Sequence, residues 1–514
     1  MKNIVLFFSF LPLIVLSACS GSKPPRQPNI LFIMTDDHGY QAVSSYSDEL
    51  INTPNLDRIA SEGVLFTNSF VSNSICAPSR AVMLTGKHSH LNGQLDNGTE
   101  FDGSQQTFPK LLQQAGYQTA IVGKWHLRSQ PEGFDYWNIL PGQGSYYNPD
   151  FIEMGEQKRI EGYVTDLTTD IALKWLDEGR DPDRPFCLLL HHKAPHRTWQ
   201  PDTALLDDYA GRSFRVPGNY FDDYAGREAA AAQKMSVRTG DMDLVYDLKM
   251  NDPEAEIETR FNFRMDHTSR MNIQQKEAWD RHFLPLIRDF KEAKLTGKEL
   301  DLWKLQRYLR DYLACIESVD NNVGRVLDYL KKNDLDKNTV IVYTSDQGFY
   351  LGEHGWFDKR FMYEESMRTP LMMRFPESYH INRTENGLVQ NIDFAPTFLD
   401  LAGVDIPADI QGKSLLPLLQ DSEEQASWRE ALYYHYYEYP NEHAVKRHYG
   451  IRTDRYKLIH FYYDIDSWEL YDLENDPHEM NNIYGDASYK DLVADLRSQL
   501  EELRIKYRVP DDKQ

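Results

Sequence analysis

Cysteine is scarce in this chain of 514 residues: there are four, Cys19, Cys76, Cys187 and Cys315, far apart and without paired spacing. That argues against a disulfide framework. Positive charge is also in deficit, with 56 basic against 79 acidic side chains and a formal net charge of −23. A surface that tracks nucleic-acid phosphates is basic, so a nucleic-acid partner is not expected. Long apolar runs are missing as well. The one at the N-terminus, Ile4 to Leu16, is too short to cross a bilayer as a permanent helix. What remains, 41% hydrophobic and 26% charged residues, is the composition of an ordinary globular protein. Its length predicts more than one domain.

The apolar run follows Met1-Lys2-Asn3 and ends in Leu16-Ser17-Ala18-Cys19, which resembles a bacterial lipobox. The expectation is a lipoprotein signal over residues 1–18 and lipidation of Cys19. A polar, proline-bearing tether over 19–28 would follow. The protein would then be exported and held at a membrane by its lipid alone, in the periplasm or on the surface of a Gram-negative bacterium.

Cys187 lies in the apolar run Pro185 to Leu190 and Cys315 in a helical pattern, where a thiol packs as a small hydrophobe. Cys76 is different: it sits in the polar, turn-like stretch Ser72 to Arg80, where packing gives no reason for it. Strand patterns at Asn29–Thr35, Val64–Phe70, Thr119–Gly123, Phe186–His191 and Thr339–Thr344 alternate with helical ones. The helices are expected at Asn55–Glu62, from Ser79 to Thr85, and at Thr107–Ala115, Val164–Leu176 and Leu313–Lys331. The alternation predicts an α/β fold, a large and mainly parallel sheet sandwiched by helices. Sites in such sheets lie at the carboxyl ends of strands.

Polar residues gather at those ends. Asp36 and Asp37 follow one strand, Lys124 and His126 a second, His191, His192 and His196 a third, and Asp346 and Gln347 a fourth. Aspartate pairs at strand ends also serve as caps and turns. Together, however, Asp36, Asp37, Asp346 and Gln347 are hard oxygen donors that suit Ca²⁺ or Mg²⁺ better than Zn²⁺. Arg80, Lys124, His126, His196 and Lys359 form a second set, donors for an oxyanion.

Cys76-Ala77-Pro78-Ser79-Arg80 with Thr85-Gly86 resembles the signature of the formylglycine-dependent sulfatases of the alkaline-phosphatase superfamily. Asp36-Asp37-His38-Gly39, Gly123-Lys124-Trp125-His126, Ala194-Pro195-His196, Ser345-Asp346-Gln347-Gly348 and Gly352-Glu353-His354-Gly355 extend the resemblance to about Lys359. It implies that a sulfatase-maturation enzyme converts Cys76 to formylglycine (3-oxoalanine), hydrated to a geminal diol. It also implies that Asp36, Asp37, Asp346 and Gln347 bind Ca²⁺ together with residue 76. Arg80 would hold the diol, and Lys124, His196 and Lys359 would grip the sulfate. In the reaction implied, the diol attacks sulfur while His196, with Lys359, protonates the departing sugar oxygen. His126 then takes a proton from the second hydroxyl, so that sulfate leaves by elimination.

The catalytic domain is expected over 29–403 and a smaller subdomain, an antiparallel sheet with a helix, over 404–514. Strand patterns at Leu432–Tyr437, Tyr449–Arg452 and Tyr456–Tyr462 and an amphipathic helix at Ser488–Lys506 support the latter. Trp199 to Leu309, with Tyr220, Tyr224, Tyr246 and the Arg260 to Arg270 stretch, reads either as a pocket rim or as helical cover for the sheet. His191 to Arg197 and the segment from Tyr436 to Arg452 resemble bacterial N-acetylglucosamine-6-O-sulfatases. That implies a sulfated glycan substrate, a glycosaminoglycan such as heparin or heparan, or mucin, with His443, Arg447 and His448 as substrate contacts. Two other readings stand beside it: a formylglycine-dependent phosphodiester or phosphonate hydrolase, and a non-catalytic, lipid-anchored glycan-binding protein.

Overall fold

Leu31 and Ile33 of the first strand pack into one hydrophobic core, and Ile30, Phe32 and Met34 into a second on the opposite face. A strand buried on both faces has no polar side, which is why Asn29–Thr35 reads as an unbroken apolar run. Thr339–Ser345 divides its side chains the same way, Ile341 and Tyr343 against Val340 and Val342. The computed structural model describes residues 27–252, 259, 266–419 and 427–511. The expected signal, Cys19, most of the tether and positions 260–265 lie outside the described residues.

The large sheet has ten strands. From edge to edge they are Arg383–Glu385, Val64–Phe66, Leu371–Arg374, Thr339–Ser345, Asn29–Thr35, Phe186–His191, Gln118–Lys124, Tyr136–Leu140, Asp150–Glu153 and Glu156–Arg159. The run from Thr339–Ser345 to Tyr136–Leu140 is parallel throughout. Helices Pro54–Ser61, Val164–Lys174 and Gly297–Lys332 cover one face. Cys76–Thr85, Phe108–Gln114 and Phe394–Leu401 cover the other. The expected α/β sandwich is the fold observed.

Register makes the active edge. Thr35 lies opposite Ser345, Met34 opposite His191, and His191 opposite Gly123. The residues that follow these positions therefore leave the sheet at one level. Gly123 is required for this: its φ is +102°, and a Cβ there would meet the carbonyl oxygen of His191 at 1.9 Å. Gly123→Ala is expected to cost roughly 2–4 kcal/mol, read as a lowered Tm, with activity falling because Lys124 and His126 move.

The structure revises several boundaries. Val64–Phe70 divides into Val64–Phe66 in the large sheet and Ser69–Phe70, which pairs with Val389–Gln390. The signature helix opens at Cys76 and not at Ser79. Beyond the expected boundary after Gly403, Leu415, Leu416, Leu418 and Leu419 are still buried in the core on one face of the large sheet. The smaller sheet, Ala431–Tyr436, His448–Thr453, Tyr456–Phe461 and Ser467–Asp472, gains a fourth strand. It buries Tyr433, Ile451 and Leu458 against helix Lys490–Lys506, and Leu432, Tyr434 and Ile459 against the main core. Among the described residues no helix is long and apolar enough to cross a membrane.

Candidate active site

Cys76 is the first residue of a ten-residue helix that ends at Thr85, where Gly86 adopts the left-handed conformation with φ 64°. Residues three and four positions apart share a helix face, so Ser79 and Arg80 stand one turn beyond Cys76 toward the same edge of the sheet. Both engage Asp346. The Ser79 hydroxyl donates to its carbonyl oxygen. Arg80 donates from Nε to Oδ2 at 2.9 Å, and its Nη2 lies 2.8 Å from the same oxygen. Arg80 Nη1 also donates to the Lys124 carbonyl at 2.9 Å, joining a third strand end to the cluster. The spacing of the signature is thus the pitch of one helical turn.

Asp36, Asp37 and Asp346 are buried, and one carboxylate oxygen from each lies within 4.8 Å of the others. Gln347 Oε1 is buried beside them with no hydrogen-bond partner, while its Nε2 donates to Asp37 Oδ1 at 2.5 Å. Buried polar atoms rarely go unpaired, and an orphaned oxygen among three carboxylates fits a hard divalent cation. Asp36, Cys76 and His196 also converge, but that trio shares Asp36 with the oxygen set. Cys76 Sγ is 3.5 Å from Asp36 Oδ1 and 3.7 Å from Gln347 Nε2. A group on residue 76 would therefore reach the same cation. Asp37, in the left-handed region at φ 72°, is held by its own N–H, which donates to Asp346 Oδ1 at 3.1 Å.

Each carboxylate has its cation. Lys124 pairs with Asp36. Lys359 donates to both oxygens of Asp37 at 2.7 Å, and Arg80 pairs with Asp346. Burial pushes the Asp37 carboxyl up to about 6 against the pull of Lys359. Burial also pushes the Cys76 thiol up to about 12. Lys359 is held above its usual range, because Asp37, Cys76 and Asp358 outweigh the burial that opposes its charge. Burial, then the positive charges of Lys124, Arg80, Lys359 and Lys193, hold His126 well below the usual histidine range. Its imidazole is neutral at pH 7 and its Nδ1 has no partner. His196 is also held low, by burial first and then by Lys124 and Lys359. Its Nδ1–H donates to the Arg197 carbonyl at 2.6 Å, and Nε2 lies 3.7 Å from Asp37 Oδ2.

A cavity of about 760 Å³ opens beside His126, lined among others by Trp137, Ile139, Gln143, Arg360, Asn441 and Glu442. Lys124 Nζ donates to Gln143 Oε1 at 2.5 Å, which ties the cavity to the carboxylate cluster. Asp36, Asp37, Lys124, His196, Asp346 and Gln347 thus meet at one edge, with His126 on the cavity wall, while His191 packs against Phe32. The expected substrate contacts do not stay together. His443 reaches the site's flank, 3.3 Å from Asp358 Oδ2, and its neighbours Asn441 and Glu442 line the cavity. His448 is fully buried, stacked on Phe361 and Tyr434 with Nδ1 bonded to the Lys446 carbonyl, so it packs the subdomain seam and offers no face to a sugar. Arg447 lies over the ring of Tyr463. Among the described residues none lining this cavity comes from 199–309; Trp199 and Tyr220 are core residues, while Arg215, Pro217, Gly218 and Asn219 line a separate cavity of about 760 Å³. Gln143, Asp358 and Arg360 were not singled out from the sequence. A polar residue between Gly142 and Gly144, and charges on both sides of Lys359, were the signals available.

The fold and site, a buried thiol opening a helix beside three clustered carboxylates and a ring of basic side chains, suit a hydrolase of oxyanion esters. The chain belongs to the sulfatase family: residues 28–404 match the family model "Sulfatase" and residues 352–506 the model "N-sulphoglucosamine sulphohydrolase, C-terminal". It is 52% identical over 519 residues to an N-acetylglucosamine-6-O-sulfatase of Bacteroides thetaiotaomicron, covering 98% of this chain and 92% of that one. A solved structure described as a complex with its substrate D-glucosamine-2-N,6-O-disulfate matches with a TM-score of 0.91 at 52% identity, over 95% of this chain and 100% of the other. The phosphonate monoester hydrolase of Agrobacterium radiobacter shares the fold, with a TM-score of 0.65 at 21% identity over 93% and 96% of the two chains.

Proposed function

We propose that this sulfatase removes the 6-O-sulfate of N-acetylglucosamine or glucosamine residues in glycosaminoglycans such as heparin and heparan, or in mucin glycans. The observation that carries the substrate reading is the likeness, over nearly the whole chain, to a relative whose printed activity is that of an N-acetylglucosamine-6-O-sulfatase. Asp36, Asp37, Asp346 and Gln347 would hold Ca²⁺, and Cys76, converted by a maturation enzyme, would carry formylglycine. When present, these two supply a polarising cation and a diol nucleophile.

The chain's own residues do the rest. Arg80, held by Asp346 and the Lys124 carbonyl, keeps a fixed positive charge one turn from residue 76. Lys124 and Lys359 stand on either side of the aspartate pair, where donors fixed before reaction stabilise charge that gathers on sulfate oxygens. His126, neutral and with Nδ1 unpartnered, is the proton acceptor. His196 has Nδ1–H fixed on a carbonyl, which leaves Nε2 as an acceptor facing the leaving oxygen, and the proton that oxygen takes comes from Lys359 Nζ, which burial does not discharge. We also infer export and lipid anchoring at Cys19, supported by the lipobox-like Leu16-Ser17-Ala18-Cys19.

A panel of 2-O, 3-O, 4-O, 6-O and N-sulfated saccharides tests the substrate. Sulfate release is expected from 6-sulfated N-acetylglucosamine, and its absence there would sink the proposal. Faster hydrolysis of an aryl phosphodiester than of an aryl sulfate would favour the phosphodiester reading instead.

A further inference from the structure

Two arginines line the cavity beside His126, Arg128 and Arg360. Arg360 is already neutralised: its Nε lies 3.1 Å from Asp358 Oδ1 and its Nη1 donates to Glu438 Oε2 at 2.8 Å. Glu442, also on the wall, is paired with Arg197. Arg128 is exposed, and among the described residues it has no acidic partner. Its Nε donates to the Asn97 carbonyl at 2.9 Å, which orients the guanidinium and leaves both Nη groups without a protein acceptor. The Asn97 side chain in turn accepts from Ala77 N–H at 3.0 Å, in the first turn of the Cys76 helix. One residue thus fixes Arg128 relative to the nucleophile position.

The backbone there is strained in a patterned way. His126 and Arg128 both lie in the left-handed region, at φ 57° and 64°, on either side of Leu127, which is fully buried. Such conformations are unfavourable for residues other than glycine and persist where the surroundings enforce them. Here Trp125 Nε1 donates to the Ser129 carbonyl at 2.7 Å, and Phe101 N–H to the Leu127 carbonyl at 3.1 Å. The tied loop turns His126 and Arg128 together onto the cavity wall. Trp137, Ile139, Pro141 and Ile152 supply apolar wall in the same cavity, so Arg128 is the cation left there for a ligand anion.

We propose that Arg128 forms a second anion subsite, docking a sulfate or carboxylate other than the sulfate being removed; this rests on the glucosamine 6-sulfate reading. A guanidinium fork matches either group by paired, charge-assisted hydrogen bonds. On a chain of net charge −23, an uncompensated cation at the mouth of the site also favours substrates with a second negative charge. The anion belongs either to an N-sulfo group on the same sugar or to a neighbouring uronic acid.

Kinetics on three substrates decide it: 6-sulfated N-acetylglucosamine, 6-sulfated N-sulfoglucosamine, and a disaccharide of 6-sulfated N-acetylglucosamine with a uronic acid. In Arg128→Gln, the kcat/KM of the two-anion substrate relative to the single-anion sugar is expected to fall about tenfold to a hundredfold, mostly through KM. Arg128→Lys should recover part of the preference. A fall confined to the N-sulfo sugar assigns the N-sulfate, and one confined to the disaccharide assigns the carboxylate. Unchanged ratios for both, or an equal loss on all three substrates, would overturn the subsite. Wild-type protein that releases sulfate from none of them would overturn the substrate reading itself.

Discussion

Cys76→Ala is expected to abolish sulfate release, with a loss on the order of 10⁶-fold as for removal of a covalent nucleophile, while the protein still folds. The second half follows from geometry. Cys76 opens a helix, alanine is the best helix former, and the sulfur's polar contacts at 3.5 and 3.7 Å are the weak hydrogen bonds of a thiol. Cys187→Ala is the contrasting control. Cys187 is a free thiol buried inside a strand of the sheet, so its loss should lower Tm by a core-packing amount and leave turnover intact. Activity assays paired with thermal melts separate the two. Near-normal turnover in Cys76→Ala would refute the nucleophile assignment. Intact mass of the wild-type Cys76 peptide adds a second check: a retained thiol with no turnover would favour the glycan-binding reading.

The site was legible because a parallel sheet delivers its strand ends to one edge. Asp36-Asp37, Lys124 and Asp346-Gln347 are spread over three hundred positions of sequence, yet each directly closes or follows a strand, and the register Thr35 to Ser345 brings the ends level. Cys76 stood out because polar turn-like surroundings gave its thiol no packing role. What stayed hidden depends on contacts with no local signature. Asp358 pairs with His443 across 85 positions, and the Gln143 contact with Lys124 joins a glycine-flanked loop to a strand end. His448 misled for the converse reason. The strand His448–Thr453 is buried on both faces, with His448 against Phe361 and Tyr434 and Tyr449 on the side of the C-terminal helix, and only the fold says that neither side meets solvent. Burial that continues past Gly403 was hidden in the same way, since a change of pattern marks the start of new strands and not the end of the core.

Stripping the metal should remove activity as completely as removing the nucleophile, and here stability should fall too. Three buried carboxylates, Asp36, Asp37 and Asp346, are each paired with a basic group, Lys124, Lys359 and Arg80, although burial holds the Lys124 amine well below the usual lysine range. A divalent cation then leaves the cluster with two extra positive charges. That surplus is what draws a sulfate ester into a protein whose overall charge is −23, since surface charges beyond about 8 Å are screened at physiological salt. Without it that added charge is lost, and Gln347 Oε1 stays buried without a partner. A chelator is therefore expected to reduce turnover to background and to lower Tm. The stabilisation lost is about 2.7 kcal/mol if free metal had stood a hundredfold above its Kd. Added Ca²⁺ should restore both, better than Mg²⁺, which demands a more regular shell and sheds its water reluctantly. Asp346→Asn should show the same loss of activity without rescue, because it removes a metal oxygen and the carboxylate that orients Arg80 together. Full rates in enzyme shown by elemental analysis to be metal-free would reject the cation site and return the three aspartates to a purely structural role.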